Sequence, residues 1–245
     1  MSEGMTFWDH LDELRTIIIR SLVVTGVMAI LAFCLKEWLF DVVLAPASSD
    51  FITYRWMGTS PFTLHLMNTG LTEQFMIHMR VALYAGLLAA SPYIIFTLFG
   101  FIAPGLYADE QRVAKRVAAA AYAMFLVGTL LNYLLIFPLT VRFLGTYQVS
   151  EAVDNMLTIQ SYVDTLLSMS LVMGLVFELP VVCAILGRMG VINRGLMRRY
   201  RRHALVAILV VAAIITPTTD VFTLFIVALP IWLLYEASIL LIRNN

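Results

Sequence analysis

Six apolar runs constrain this chain more than anything else in it: residues 16–35, 81–101, 117–137, 166–186, 204–216 and 221–242. At about 1.5 Å of helix per residue, most of them match a hydrocarbon layer of roughly 30 Å. The expected fold is an all-α integral membrane protein, with six transmembrane helices in one membrane domain over residues 1–245. The fifth run is the exception. It reaches only about 20 Å before Pro217-Thr218-Thr219-Asp220 turns the chain, so it is expected to thin the bilayer or lean within it. Composition agrees, since 61% hydrophobic against 13% charged residues leaves too little polar surface to coat a soluble globule. Sixteen basic and sixteen acidic residues cancel, so no bulk charge draws the chain to nucleic acid. Cys34 and Cys183 both fall inside apolar runs and suit buried small hydrophobes better than a disulfide or a metal site.

Orientation follows from the basic residues near span ends. With the N-terminus inside, Arg15, Arg112, Lys115, Arg116, Arg188, Arg194, Arg198, Arg199, Arg201, Arg202 and Arg243 lie on the inner side, and Lys36, Arg55 and Arg142 on the outer. That asymmetry places both termini in the cytoplasm. The chain opens on an acidic amphipathic run, Phe7 to Arg15, rather than on a short apolar stretch with a cleavage site, so no cleaved signal peptide is expected. The spans running inward carry one proline each, Pro92, Pro180 and Pro230, which points to kinked helices with curved walls.

A few charges need an explanation. In the N-terminal helix Asp12 has Arg15 at i+3, whereas Glu13 has only Thr16 and Ile17 ahead of it and no intrahelical cation. The first inner loop, Phe101 to Arg112, repeats the arrangement after a Pro104-Gly105 turn: Asp109 has Arg112, and Glu110 has Val113 and Ala114. Two unpaired glutamates suit either solvated helix starts or a pair of acceptors for two guanidinium groups, each charge-assisted bond being worth about 1.5 to 3 kcal/mol. Glu178 lies mid-span in Phe177-Glu178-Leu179-Pro180, where a charge costs at least about 2.5 to 3.5 kcal/mol. It is either a functional acid or a protonated carboxyl bonded to a carbonyl freed by the Pro180 kink. Glu236, nearer the inner end of its span, is expected to snorkel, and the basic run Arg198 to His203 to enforce topology and bind anionic lipid.

These residues fall in blocks that resemble the TatC family, the polytopic core subunit of the twin-arginine protein translocase, over essentially the whole chain. The blocks are His10-Leu11-Asp12-Glu13-Leu14-Arg15, Ala45-Pro46, Phe101 to Tyr107 with Glu110 and Arg112, Phe177-Glu178-Leu179-Pro180, and Pro217 to Phe222. The resemblance implies a concave arrangement of six kinked helices. It implies binding of the twin-arginine signal peptides of folded precursor proteins at the cytoplasmic face and export driven by the proton-motive force. The partners it implies are single-span TatA-like and TatB-like subunits, further copies of the chain and membrane lipid, in a prokaryotic cytoplasmic membrane. By position, Glu13 and Glu110 resemble the carboxylates that receive the signal arginines, with Arg15, Phe101 and Arg112 shaping that surface. Pro46, Glu178 and Asp220 resemble positions that meet the partner subunits. Phe99 stands where a Trp is common, Gln111 replaces the first Arg of a usual Glu-Arg-Arg, and Leu224 replaces a common Gln.

Other classes fit less well. A secondary solute transporter also wants kinked helices and a midplane acid. An intramembrane hydrolase needs a nucleophile and base within reach, which the spans do not offer. No His-Glu-x-x-His, Gly-x-Ser-x-Gly or Walker-type loop occurs, and His10, His65, His78 and His203 are scattered. Neither catalytic residues, a metal site nor a cofactor is expected.

Overall fold

In lipid a backbone carbonyl or amide without a partner is costly, so each apolar run has helix as its natural state. A computed structural model describes residues 7–58, 61–62, 64–106, 111–147, 156–216 and 220–242. Its contacts divide the chain into two compact units, residues 1–39 with 78–123 and residues 40–77 with 124–245.

The first unit is built on α1 (Phe7–Cys34) and the greater part of α4 (Glu73–Leu106), with the beginning of α5 (Gln111–Leu131). The acidic amphipathic run and the first span form one continuous α1. Large apolar side chains on this helix face outward, as with Ile30 at 69% exposure, the reverse of a soluble helix and the pattern a lipid solvent demands. Helices α1 and α4 meet at backbone distance. A Cβ added to Gly86 would lie 2.5 Å from the Ala29 amide nitrogen, so only glycine permits this crossing. Further along the same seam His78 Nε2 lies 3.1 Å from the Phe33 carbonyl, and its ring stacks on Phe33 at 4.0 Å. The turn expected at Pro104-Gly105 is not where the helix stops: α4 runs through both residues to Leu106. A proline removes one hydrogen bond without ending a helix whose alternative is unsatisfied backbone.

The second unit holds α2 from residue 40 (Lys36–Leu44 in full), a 3-10 turn (Ala45–Ala47), α3 (Ile52–Trp56), and the parallel pair β1 (His65–Met67) and β2 (Met156–Thr158) in the register His65 to Met156. It continues with the end of α5, α6 (Phe137–Thr146), α7 (Ile159–Val176), α8 (Leu179–Arg188), α9 (Arg194–Arg199), α10 (Arg201–Ile215) and α11 (Val221–Leu241). Between α5 and α6 the helix widens into a π turn, Asn132–Ile136, closed by the Phe137 amide donating to the Asn132 carbonyl. The cause is Pro138, which has no N–H for the carbonyl of Leu134. The Thr53 hydroxyl of α3 donates to that carbonyl instead.

Three tyrosines fasten the same region. The Tyr54 hydroxyl lies 3.0 Å from the Pro46 carbonyl and 2.9 Å from that of Pro138, sharing one proton between them. Tyr133 donates to the Val42 carbonyl at 2.7 Å and Tyr162 to that of Val43 at 3.0 Å. Burial raises the pKa of the Tyr54 phenol, with Arg142 opposing only in part, so the group stays a donor. Below this cap, Asn132 Nδ2 donates to Ser170 Oγ at 2.8 Å and ties the π turn to α7.

Six apolar segments are thus present: α1, α4, α5 through α6, α7 with α8, α10 and α11. Five are long enough to cross a bilayer. The sixth, α10, has 15 residues, and its first three, Arg201, Arg202 and His203, are exposed. The short fifth span read from the sequence is therefore present. Of the three inward-span prolines only Pro180 accompanies a break, between α7 and α8, while Pro92 and Pro230 sit inside continuous helices.

The α1–α4 crossing predicts that Gly86→Leu lowers thermal stability in detergent by about 1 to 3 kcal/mol through overpacking. Gly100→Leu, at a position with nothing within 4 Å, should leave the melting temperature essentially unchanged. Equal melting curves for the two variants would show that the helices can separate without loss.

Candidate functional site

Two groups of residues singled out in the sequence fall in different units. Glu13 and Arg15 lie on α1, both exposed, and Phe101 lies half-buried on α4. Arg112 is the second residue of α5. Glu110 lies outside the described residues, as do Tyr107, Ala108 and Asp109.

The i, i+3 spacing that lets Asp12 pair with Arg15 is not used: among the described residues no ion pair joins them. In water such a pair is worth only a few tenths of a kcal/mol and loses readily to solvent. Glu13 likewise enters no ion pair among the described residues. The neighbouring Thr16 hydroxyl is turned to the Asp12 carbonyl at 2.8 Å and leaves Glu13 alone. The result is an exposed carboxylate in the first turns of a long helix, where the macrodipole favours negative charge and where no cation among the described residues pairs with it.

The second group is Pro46, Glu178 and Asp220. Pro46 is buried in the 3-10 turn, with its carbonyl held by Tyr54. Asp220 caps α11, its Oδ1 accepting from the Thr223 amide at 2.7 Å, which fixes the start of the last helix. Residues 217–219 of the same turn lie outside the described residues.

Glu178 occupies the break itself. The Phe177 amide still closes the last turn of α7 onto Met173 at 3.0 Å, the Glu178 amide tightens onto Leu175 at 3.1 Å, and α8 starts with the Val182 amide on the Glu178 carbonyl at 2.9 Å. Pro180 enters at the start of α8, where its missing N–H is least damaging. Both carboxyl oxygens of Glu178 are buried, and neither has a hydrogen-bond partner among the described residues. The structural alternative, a carboxyl bonded to a carbonyl freed by the kink, is therefore not what the geometry contains. A buried acid at a break between apolar helices is stable only where it is neutral, paired or wetted.

Several contacts of consequence carried no local signal in the sequence. Glu236 does not simply snorkel: its Oε2 takes a 2.6 Å bond from Arg201 Nη2, joining α11 to the start of α10. Tyr235 donates to the Met197 carbonyl at 2.8 Å and fixes α9 against α11. Asn132, fully buried in an apolar run, is a further residue that a search for polar groups inside spans would find.

Comparison with known proteins places this geometry. The family described as Sec-independent protein translocase protein (TatC) matches residues 9–230. The Sec-independent protein translocase protein TatC of Deinococcus radiodurans is 35% identical over 236 residues, covering 96% of this chain and 85% of the relative. That of Desulforapulum autotrophicum is 33% identical over 238 residues, covering 97% and 84%. A crystal structure of the twin-arginine translocase receptor TatC superposes with a TM-score of 0.80 at 29% identity, over 95% of this chain and 97% of that one. A second, in DDM, gives 0.82 at 28% identity over 96% and 99%. With the family model matched over residues 9–230 and these relatives aligned over nearly the whole chain, the chain belongs to the TatC family.

Proposed function

We propose that this multi-pass membrane protein, a core subunit of a Sec-independent translocase rather than an enzyme, receives twin-arginine signal peptides on Glu13 and Glu110. In this reading Arg15, Phe101 and Arg112 shape the receiving surface. The observation that carries it is Glu13, exposed on α1 with no ion pair among the described residues. Two carboxylates of this kind recognise two guanidinium groups by planar, bidentate hydrogen bonds that lysine cannot reproduce. Export of the folded precursor then draws on the proton-motive force. The host membrane in this reading is a prokaryotic cytoplasmic membrane, with both termini inside, and residues 1–245 act as one domain.

The partner contact in the same proposal is Glu178, with Pro46 and Asp220 at the outer end. A polar group from a single-span TatA-like or TatB-like helix supplies the partner that the buried carboxyl lacks, a contact worth about 0.6 to 2 kcal/mol in lipid. Further copies of this chain and membrane lipid complete the assembly.

Glu13→Ala or Glu110→Ala should weaken binding of a twin-arginine signal peptide by roughly tenfold to a hundredfold. The double variant should fall little below the worse single one, because both acids serve one arginine pair. Fluorescence anisotropy with the peptide and its Lys-Lys variant measures this, and parent-like affinity of the double variant would end the proposal.

For Glu178 the informative pair of measurements is crosslinking to the single-span subunits and melting temperature. Glu178→Leu should lose the crosslink while keeping its fold, since it removes a buried polar group that has no internal partner. Normal crosslinking with clearly lowered stability would return the residue to a structural role. The shortness of α10 gives a third outcome: inserting one apolar turn, about 5.4 Å of helix, should lower transport and leave signal-peptide binding intact. Undiminished transport in that variant would make the short span incidental.

A further inference from the structure

We propose that the outward face of α3, formed by Ile52, Trp56 and Met57, is an anchor in the headgroup boundary of the bilayer, with the glycerol and phosphate region of the lipids as its partner. Trp56 is 88% exposed, more than any other tryptophan of the chain, and Ile52 and Met57 lie open beside it.

Bonds on the opposite side of the helix hold this face outward. Thr53 and Tyr54 are buried, Thr53 donating to the Leu134 carbonyl and Tyr54 reaching the carbonyls of Pro46 and Pro138. Just before the helix, the Phe51 ring meets Tyr133 edge-on at 5.6 Å. Just after it, Gly58 takes a φ of +58° while its amide donates to the Arg55 carbonyl at 3.2 Å, so α3 cannot extend past Met57. Ile52 and Trp56 stand at i and i+4 and share the free side. A roll of the helix that buried the indole would break the bonds of Thr53 and Tyr54 together.

The same bonds set the level of α3. Leu134 and Pro138 stand at the end of the third apolar run, 117–137, whose length of about 32 Å matches the hydrocarbon layer. The helix is therefore fastened where acyl chains give way to headgroups. Below it, Val127, Leu130 and Leu134 are exposed at spacings of three and four, an apolar strip that α3 prolongs. Its chemistry changes at that point in the way the boundary requires. An indole combines an apolar body with one N–H donor and concentrates at the interface. Arg55, exposed next to it, enters no ion pair among the described residues, and its stem is long enough to carry the charge to a phosphate. A protein partner fits less well. Three side chains on a five-residue helix fall far short of the roughly 20 to 30 residues a side in a stable protein contact, whereas lipid demands no minimum area. Neither Glu13 and Glu110 as acceptors nor the choice of inner and outer side enters this inference.

The test places a chain with Trp56 as its sole tryptophan, carrying Trp8→Phe, Trp38→Phe and Trp232→Phe, in phosphatidylcholine vesicles. The lipid acyl chains carry bromine either just below the glycerol or near the terminal methyl. An interfacial side chain lies about 5 to 10 Å into the headgroup and acyl boundary, so the shallow bromines should quench Trp56 emission about twofold more than the deep ones. Where the triple variant fails to fold, the difference in quenching between the parent and Trp56→Phe reports the same indole. Quenching by neither lipid would put the face in water, and stronger quenching by the deep bromines would put it in the acyl core. Either result overturns the proposal. Shallow quenching that vanishes as the protein-to-lipid ratio rises, or on adding single-span TatA-like or TatB-like subunits, would give the face to a protein and overturn it as well.

Discussion

The need to satisfy every backbone carbonyl in a medium without water governs this structure more than any side-chain contact does. Proline is where the constraint shows, because each one removes a donor. At Pro138 the orphaned Leu134 carbonyl is taken by Thr53, and the helix widens by a π turn to accommodate the change. The Pro138 carbonyl in turn shares the Tyr54 proton with Pro46. One missing N–H thus explains why α3 docks where it does and why the buried turn around Pro46 is held by hydroxyls rather than by apolar packing alone. At Pro180 the same deficit is handled differently: the helix breaks, and the residue at the break is Glu178, an acid without a hydrogen-bond partner among the described residues.

Apolar burial cannot hold such helices together, since lipid is as apolar as their side chains. The contacts that do so are those lipid cannot imitate. Gly86 brings α4 to the backbone of α1, Asn132 bonds Ser170, and Arg201 bonds Glu236. Ion pairing follows environment in the same way. Exposed Asp12 and Arg15 forgo a pair that their spacing permits, while Arg201 and the more sheltered Glu236 form one across 35 residues of sequence.

The sequence revealed what is local or periodic. The six apolar segments, the brevity of the fifth and the anomaly of an acid at position 178 were all legible, because length and hydropathy are properties of contiguous residues. The Glu13 argument was legible too, as it rests on what lies three and four positions ahead. Contacts between distant segments were not. Tyr54, Tyr133 and Tyr162 sit in stretches with no distinguishing pattern, and their partners are carbonyls, which every residue has. Pro104-Gly105 misled in the opposite direction: local turn chemistry argued for a stop, and the demand for satisfied backbone carried α4 on to Leu106. The partner of Glu236 was hidden by sequence distance, so a snorkelling carboxylate was the natural reading of a residue that is in fact tied to α10.

Charge separation gives the last step. A receptor for arginines must keep its acids from its own arginines, and this chain carries six of them between residues 188 and 202. Glu236 is neutralised by Arg201, whereas Glu13 enters no ion pair among the described residues. On the proposed reading, an incoming guanidinium meets no ion pair among the described residues at Glu13, so its hydrogen bonds are gained against water.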